Sequence, residues 1–352
     1  MSLDRIDARR IALIKPSALG DIVHSLPVLS ALRVRFPAAH ITWVVNSGYE
    51  SLLTGHPDLT DTLPFDRGAL KGVRRSLATA YSFLTALRRR RFDLVIDMQG
   101  LLRSGVMARL SGAPRRVGFA NAREGSRYAY TDRIPSPALP AAHAVDRMWC
   151  VAEAFGVGHL PKVFRVPLQP AEVDAARHEL AALPRPLVAV AVGAKWLTKR
   201  WPVPHFAELL NRAHAHTGGT AVFVGASDDT VLSQAVIANL RGPALDLTGR
   251  TSLPRLSAVL SLADVTLGND TGPLHLAAAL GRPCVAPYTC TKVALHGPYS
   301  QTANCVETSV ACGGSYLKKC GNMICMPELT PDRLWPQLSK ALDAWQRTSR
   351  SA

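Results

Sequence analysis

At 352 residues, 47% of them apolar, the chain is long enough for two domains with their own cores and needs no disulfide or metal staple. No apolar run reaches membrane-span length, and the acid-bearing start MSLDRIDARRIALIK is too short in apolar residues to be a secretion signal. A cytosolic protein is expected, with its seven cysteines mostly reduced and a net charge of +15 that calls for an anionic partner.

Ile11 to Ile14 read as a strand, Lys15 to Gly20 as a loop and Asp21 to about Arg35 as a helix. Ile41 to Val45 form a second strand. A basic helical stretch runs from roughly Arg74 to Arg90, Asp93 to Asp97 is another strand, and a helix lies near Leu101 to Leu110. Short apolar strands alternating with helices imply a parallel sheet covered on both faces. The positive charge gathers in this half: 24 Lys/Arg against 13 Asp/Glu through residue 167, then 17 against 13 beyond it. Arg67, Lys71, Arg74, Arg75 and Arg88 to Arg91 fall in one stretch without an acid. A charge run is usually a solvated face. A bias across half a protein fits a polyanion: nucleic acid, anionic lipid or a phosphorylated substrate.

The pattern resets through Pro161, Pro167, Pro170, Pro184 and Pro186. Leu187 to Val192 restart as a buried strand, followed by a helix near Phe206 to Ala215, a strand at Ala221 to Val224 and a helix from Thr230 to Leu240. Leu256 to Leu262 lead into VTLGNDTGPLHLAAALGRP (Val265 to Pro283). There a strand stops at Gly268, and a helix starts after Asn269-Asp270-Thr271, with Pro273 in its first turn and Gly281 and Pro283 past its end. The fold class expected is α/β, with two doubly wound domains facing across a cleft.

A strand entering a helix through small and polar residues can hold an anion, because the first N–H groups and the helix dipole face it. The plainer reading is a core helix capped by Asp270 or Thr271. Open α/β sheets bind at the carboxyl ends of their strands. Those ends carry Ser17 to Asp21 with His24 one turn on, Gly193 to Lys195, Gly225 to Asp229, and Gly268 to His275. Lys199, ahead of Trp201-Pro202, is well placed to meet a phosphate if its loop folds inward. No G-x-G-x-x-G or Walker A run exists, which removes the main support for dehydrogenase and P-loop NTPase readings.

KPSALGDIVHSLP, DMQGLLRSG, GFANAREGSRYAY, HAVDR, GAKWLTKRWP and GNDTGPLHLAAALGRP occur in that order from about residue 11 to 300. As a set they resemble glycosyltransferase family 9, the ADP-heptose:lipopolysaccharide heptosyltransferases, and heptosyltransferase I most of all. The resemblance implies a GT-B fold. It divides the chain into a Rossmann-like acceptor domain (1–167), a linker (168–186), a Rossmann-like nucleotide-sugar domain (187–330) and a C-terminal helix (331–352) packing back toward the N-terminal domain. It also implies inverting transfer of L-glycero-D-manno-heptose from ADP-heptose to a Kdo sugar of the lipid A inner core, without a cofactor. A later heptose or another sugar is the near alternative. A nucleic-acid-binding protein, suggested by charge alone, is the distant one, since no recognition module accompanies the arginines.

Position by position, the resemblance makes Asp21 the general base and Lys199 the phosphate-binding lysine. Asp229, Asp270, Thr271, Gly272 and His275 are then donor-binding, and Ser17, Gly20, His24, Gln99, Arg103 and Arg123 acceptor-binding. No Asp-x-Asp pair exists in the chain, so a metal-clamped diphosphate is not expected. Asp270 would repel a diphosphate, and is expected to cap the helix or bond donor hydroxyls instead. A helix start weakens a carboxylate such as Asp21 as a base, and desolvation restores it; His24, on the same helical face, is the rival. Cys312, Cys320 and Cys325 lie where some relatives have a fourth cysteine, at the position of Ser315 here; free structural thiols are expected. The implied protein is a cytoplasmic monomer docked on the anionic inner leaflet, with its basic N-terminal domain on the lipid.

Overall fold

Ile11, Ala12, Leu13 and Ile14 are completely buried, as a strand covered by helices on both faces must be. They belong to β1 of a computed structural model that describes residues 3–66, 73–135 and 142–350. Two units divide the chain, Met1–Pro167 and Leu168–Ala352.

The first unit runs β1 (Arg10–Ile14), α1 (Leu19–Arg35), β2 (His40–Asn46), β3 (Asp61–Phe65), α2 (Val73–Arg89), β4 (Leu94–Asp97), α3 (Leu102–Leu110), β5 (Arg115–Phe119), β6 (Asp132–Ile134) and α4 (Ala144–Ala154). Its strands pair in parallel in the order β3-β2-β1-β4-β5-β6. The order reverses between β1 and β4, and such a switch point opens a crevice at the carboxyl ends of the two strands.

The second unit runs α5 (Pro170–Leu180), β7 (Leu187–Ala191), α6 (Val203–Thr217), β8 (Thr220–Phe223), α7 (Thr230–Ile237), β9 (Ala244–Asp246), α8 (Leu253–Leu262), β10 (Val265–Gly268), α9 (Gly272–Ala279), β11 (Cys284–Tyr288), α10 (Val293–His296), β12 (Cys305–Glu307), α11 (Cys325–Glu328) and α12 (Pro331–Arg350). Its sheet, β12-β11-β10-β7-β8-β9, is also all parallel and has the same order, with its switch point between β7 and β10. Each unit is Rossmann-like.

One expectation is corrected. Residues 168–186 are more than a linker: α5 packs on α8, and Arg255 of α8 pairs with Glu179 at 2.6 Å. The C-terminal helix joins the second unit's own core. Leu334, Leu338 and Leu342 recur every four residues, so they share one helical face, and all are fully buried with Phe206, Leu210 and Val285. Burying a leucine is worth about 1.5–3 kcal/mol, which is what holds α12 on α6.

Candidate active site

In the second unit the loops after β7 and β10 are stitched together by Asn269. Its side chain is fully buried, donates to the Val192 carbonyl at 2.7 Å and accepts the Trp201 N–H at 3.1 Å. Gly268 must be a glycine, because a Cβ there would come within 2.9 Å of both the Cβ and the carbonyl oxygen of Ala191. Thr271 then opens α9 in an extended conformation and makes no side-chain cap. Its hydroxyl turns back to the Asn269 carbonyl at 3.3 Å. The first-turn N–H groups of α9 carry no side-chain cap, and Gly272 and Pro273 keep that end free of bulk.

Asp270 does not cap the helix either, which corrects the capping alternative. Its carboxylate turns into the protein, accepting Lys199 Nζ at 2.5 Å and the Thr291 hydroxyl at 2.7 Å on Oδ2. On Oδ1 it meets His275 Nε2 at 3.2 Å and the Tyr288 hydroxyl at 3.4 Å. Burial alone would favour the neutral acid. The hydrogen bond from His275 and the charge of Lys199 override it, so the carboxyl lies well below the usual carboxylate range. Burial and the neighbouring Asp270 charge push the Tyr288 hydroxyl well up, and raise the Cys305 thiol to about 12. Asp270 is therefore a buried, ionised anchor that orients Lys199. The lysine sits on a short 3-10 turn (Leu197–Lys199) with its ammonium 4.8 Å from the centre of the Trp196 ring. Sequence reasoning did not find Thr291 and Tyr288, because nothing in CVAPYTCTK marks them as partners of an aspartate eighteen or more residues earlier.

Asp229 lies at the carboxyl end of β8, accepts the Ala226 N–H at 3.0 Å and rests on Gly193 at the end of β7. A Cβ on Gly193 would fall 2.0 Å from that carboxylate, so the glycine is what admits the acid to this edge.

In the first unit Asp21 is exposed on the first turn of α1, where one carboxylate oxygen accepts the Ala18 N–H at 3.1 Å. Ser17 and Gly20 flank it and are half-buried. His24 is 6% exposed and stacks edge-on with His143, the residue that caps α4, at 5.6 Å between ring centres. The two rival bases thus differ in access: the carboxylate faces solvent and the imidazole faces the α1–α4 interface.

Buried Lys15 donates to the Met98 carbonyl at 3.1 Å and joins the β1 and β4 loops at the switch point. Gln99 follows on the β4 loop, with its Oε1 buried and unpartnered among the described residues. Asp97 shapes that loop: it accepts the N–H groups of Gln99 and Gly100 at 2.8 and 3.1 Å, and the Tyr130 hydroxyl at 2.7 Å. Burial drives its carboxyl upward, opposed by the Tyr130 hydrogen bond. Arg123 N–H bonds the Gly100 carbonyl at 2.9 Å, which brings Arg123 to the same edge, and exposed Arg103 lies over Phe65 at 5.7 Å. Lys15 and Asp97 were not singled out from sequence. Lysine directly after a buried strand was the available signal.

The basic stretch is partly structural. Arg88 donates to the Leu110 carbonyl and Arg90 pairs with Asp61, each at 2.9 Å, while Arg89 and Arg91 are exposed. Arg67 and Lys71 lie outside the described residues, as do the side chains of Arg74 and Arg75. All seven cysteines are free thiols, with Cys312 and Cys320 exposed. Among the described residues no group of three or more His, Cys, Asp or Glu is arranged to hold a metal ion.

The chain thus has two Rossmann-like units, as in the GT-B class, one with a lysine beside an uncapped helix start at its switch point and the other with an exposed carboxylate at its own. The chain belongs to glycosyltransferase family 9 (heptosyltransferase), whose model matches residues 80–322. It is 27% identical to lipopolysaccharide heptosyltransferase 1 of Pseudomonas aeruginosa, over 95% of this chain and 98% of that one. It is also 27% identical to lipopolysaccharide heptosyltransferase 2 of Salmonella typhimurium, over 85% and 88% of the two chains. The structure of E. coli heptosyltransferase WaaC with ADP matches its fold with a TM-score of 0.71 at 24% identity, over 94% of this chain and 99% of that one.

Proposed function

We propose that this glycosyltransferase moves L-glycero-D-manno-heptose from ADP-heptose to a Kdo residue of the lipid A inner core, with inversion and without a metal ion. The observation that carries the donor half is the Lys199–Asp270 pair beside the uncapped start of α9. Asp270 holds the ammonium in place, and Lys199 with the α9 N–H groups meets the diphosphate and the charge that grows on departing ADP. Thr271, Gly272 and His275 complete that edge, and Asp229 takes donor hydroxyls. The P. aeruginosa relative, aligned nearly end to end, supports the first-heptose step.

On the acceptor side Asp21 removes the proton from the attacking hydroxyl, because it is the exposed carboxylate at the switch point of the first unit. Ser17, Gly20 and His24 shape the pocket around it. Gln99, Arg103 and Arg123 bind the acidic sugar and its phosphates. The protein works as a monomer on the anionic cytoplasmic face of the inner membrane. No helix among the described residues is long and apolar enough to cross a membrane.

The S. typhimurium relative, at the same identity, favours a second reading in which the acceptor already carries a heptose. Incubation with ADP-heptose and Kdo-lipid A, in parallel with heptosylated acceptor and other nucleotide sugars, separates the two. The first-heptose reading expects turnover with Kdo-lipid A, an inverted anomeric centre by NMR, and activity retained in EDTA. Turnover on the heptosylated acceptor alone overturns the assigned rank. Turnover only with another nucleotide sugar overturns the donor.

A further inference from the structure

Trp196 carries two lysines. Lys199 lies 4.8 Å and Lys318 5.5 Å from the centre of its ring. Lys318 comes from the segment between β12 and α11, far along the chain, and its position is built by hydrogen bonds. The hydroxyl of Thr198, 3% exposed, donates to the Leu317 carbonyl at 2.5 Å. The Thr289 hydroxyl bonds the Thr198 carbonyl, while Tyr316 N–H reaches the Cys290 carbonyl at 2.8 Å and Gly314 N–H the Thr289 carbonyl at 3.0 Å. The residue before Lys318 is thus tied to the residue before Lys199. Two ammonium groups are gathered about one indole, although like charges repel.

The charge balance gives this pair a purpose. Lys199 is spent on ionised Asp270 at 2.5 Å, so that couple is neutral overall. Lys318 is exposed and makes no ion pair among the described residues. A sugar nucleotide carries a charge on each phosphate, and the leaving diphosphate gains another. An already paired lysine and a helix start leave much of that charge uncompensated.

We propose that Lys318 is a second cation of the diphosphate subsite, carried to Lys199 by the 309–318 segment and held there on Trp196. This rests on the donor reading above, with Lys318 as a binding residue that touches the phosphates directly. Trp196 aligns the two ammonium groups so that both meet the ligand at one edge of the sheet.

The test measures binding of ADP, adenosine and inorganic pyrophosphate by calorimetry to the wild-type chain and to Lys318→Ala, Lys318→Arg and Lys319→Ala. Lys318→Ala should bind ADP and pyrophosphate about 10-fold or more weakly, the range for a lost hydrogen bond to a charged group. Adenosine affinity should not change, Lys318→Arg should recover most of the loss, and Lys319→Ala should match wild type. Equal ADP affinity in Lys318→Ala and wild type overturns the proposal. So does an equal loss in Lys318→Ala and Lys319→Ala, which would mark a diffuse surface field. A wild-type chain that ignores ADP but binds pyrophosphate through Lys318 overturns the nucleotide assignment and leaves this one standing. Binding of neither ligand overturns both.

Discussion

Lys199 donates to Oδ2 of Asp270 at 2.5 Å, from the loop after β7 to the loop after β10. Those loops follow adjacent strands at the point where the sheet reverses its order, so the pair lies at the crevice that such a switch point forms. An acid beside a lysine proposed to bind phosphate looks self-defeating until its burial is considered. Asp270 is 5% exposed and meets Lys199, His275, Thr291 and Tyr288. Its charge is used inward to fix the ammonium, and the first turn of α9 is left without a side-chain cap.

Lys199→Ala should cost about 10²-fold or more in turnover, the usual scale for one electrostatic donor to a developing charge. It should also cost about 1–3 kcal/mol of stability, because a buried carboxylate loses a partner. Adding Asp270→Asn should recover the stability and none of the rate. Denaturant melts and steady-state kinetics on the two variants check both halves. Full activity in Lys199→Ala sinks the assignment.

Asp21→Asn keeps the bond to the Ala18 N–H and loses the ability to take a proton. It should bind ADP-heptose normally and turn over about 10²–10⁴-fold more slowly. His24→Ala opens a cavity between α1 and α4, so it should lower the melting temperature while retaining much of the rate. If Asp21→Asn is active and a folded His24→Ala is dead, the histidine is the base.

Asp97 should make stability fall with rising pH. Its carboxyl in the folded chain holds the proton to a higher pH than the roughly 3.9 of an unfolded aspartate, because burial penalises the charge. The native state therefore binds more protons over the window that starts near pH 4, and the contribution of this group declines as pH rises through the folded value. Asp97→Asn can still accept the Gln99 and Gly100 N–H groups. Relative to it, the wild type should lose stability between acid and neutral pH. A difference that stays constant with pH contradicts this. Asp270 acts in the opposite sense: its depressed carboxyl adds stability above about pH 4 that is lost as pH falls toward the folded value.

Arg89 and Arg91 are exposed and their side chains make no ion pair among the described residues, whereas exposed Arg88 donates to the Leu110 carbonyl and Arg90 pairs with Asp61. Replacing both with Gln should weaken binding to vesicles carrying lipid A more than it weakens ADP-heptose binding. The effect should shrink as salt is raised, because exposed charges are screened within about 10 Å at 0.1 M. An equal loss for both ligands points to misfolding, and comparable salt-sensitive affinity for duplex DNA revives the nucleic-acid reading.

Much of the fold was legible locally. β1, β2, β4, β7, β8 and β10 are buried apolar runs next to turn residues, and the start and stop of α9 are written in Gly268, Pro273 and Gly281. Six strands escaped notice, β5 and β11 among them, and the other four have a physical reason. β3 is an edge strand with Asp61 and Pro64 in it, and β6, β9 and β12 are three-residue strands at or near sheet edges, too short to show a period. The 168–186 segment read as a linker because its prolines punctuate it, although Pro170 opens α5. Proline is at home in a helical first turn.

By itself the sequence determined that this protein has two parallel α/β units, each with polar loops after its strands, and that Asp270-Thr271-Gly272 stands where a strand enters a helix. Those properties are local, because hydrophobic period, glycine and proline act over a few residues. Only the tertiary structure decided that Asp270 turns inward to Lys199, that Thr291 and Tyr288 hold it, that His24 faces His143, and that Lys318 meets Trp196. Each of these joins residues from different loops. Strand order and the path of the chain bring such loops together, and a lysine's neighbours along the chain carry no record of the carboxylate it will meet.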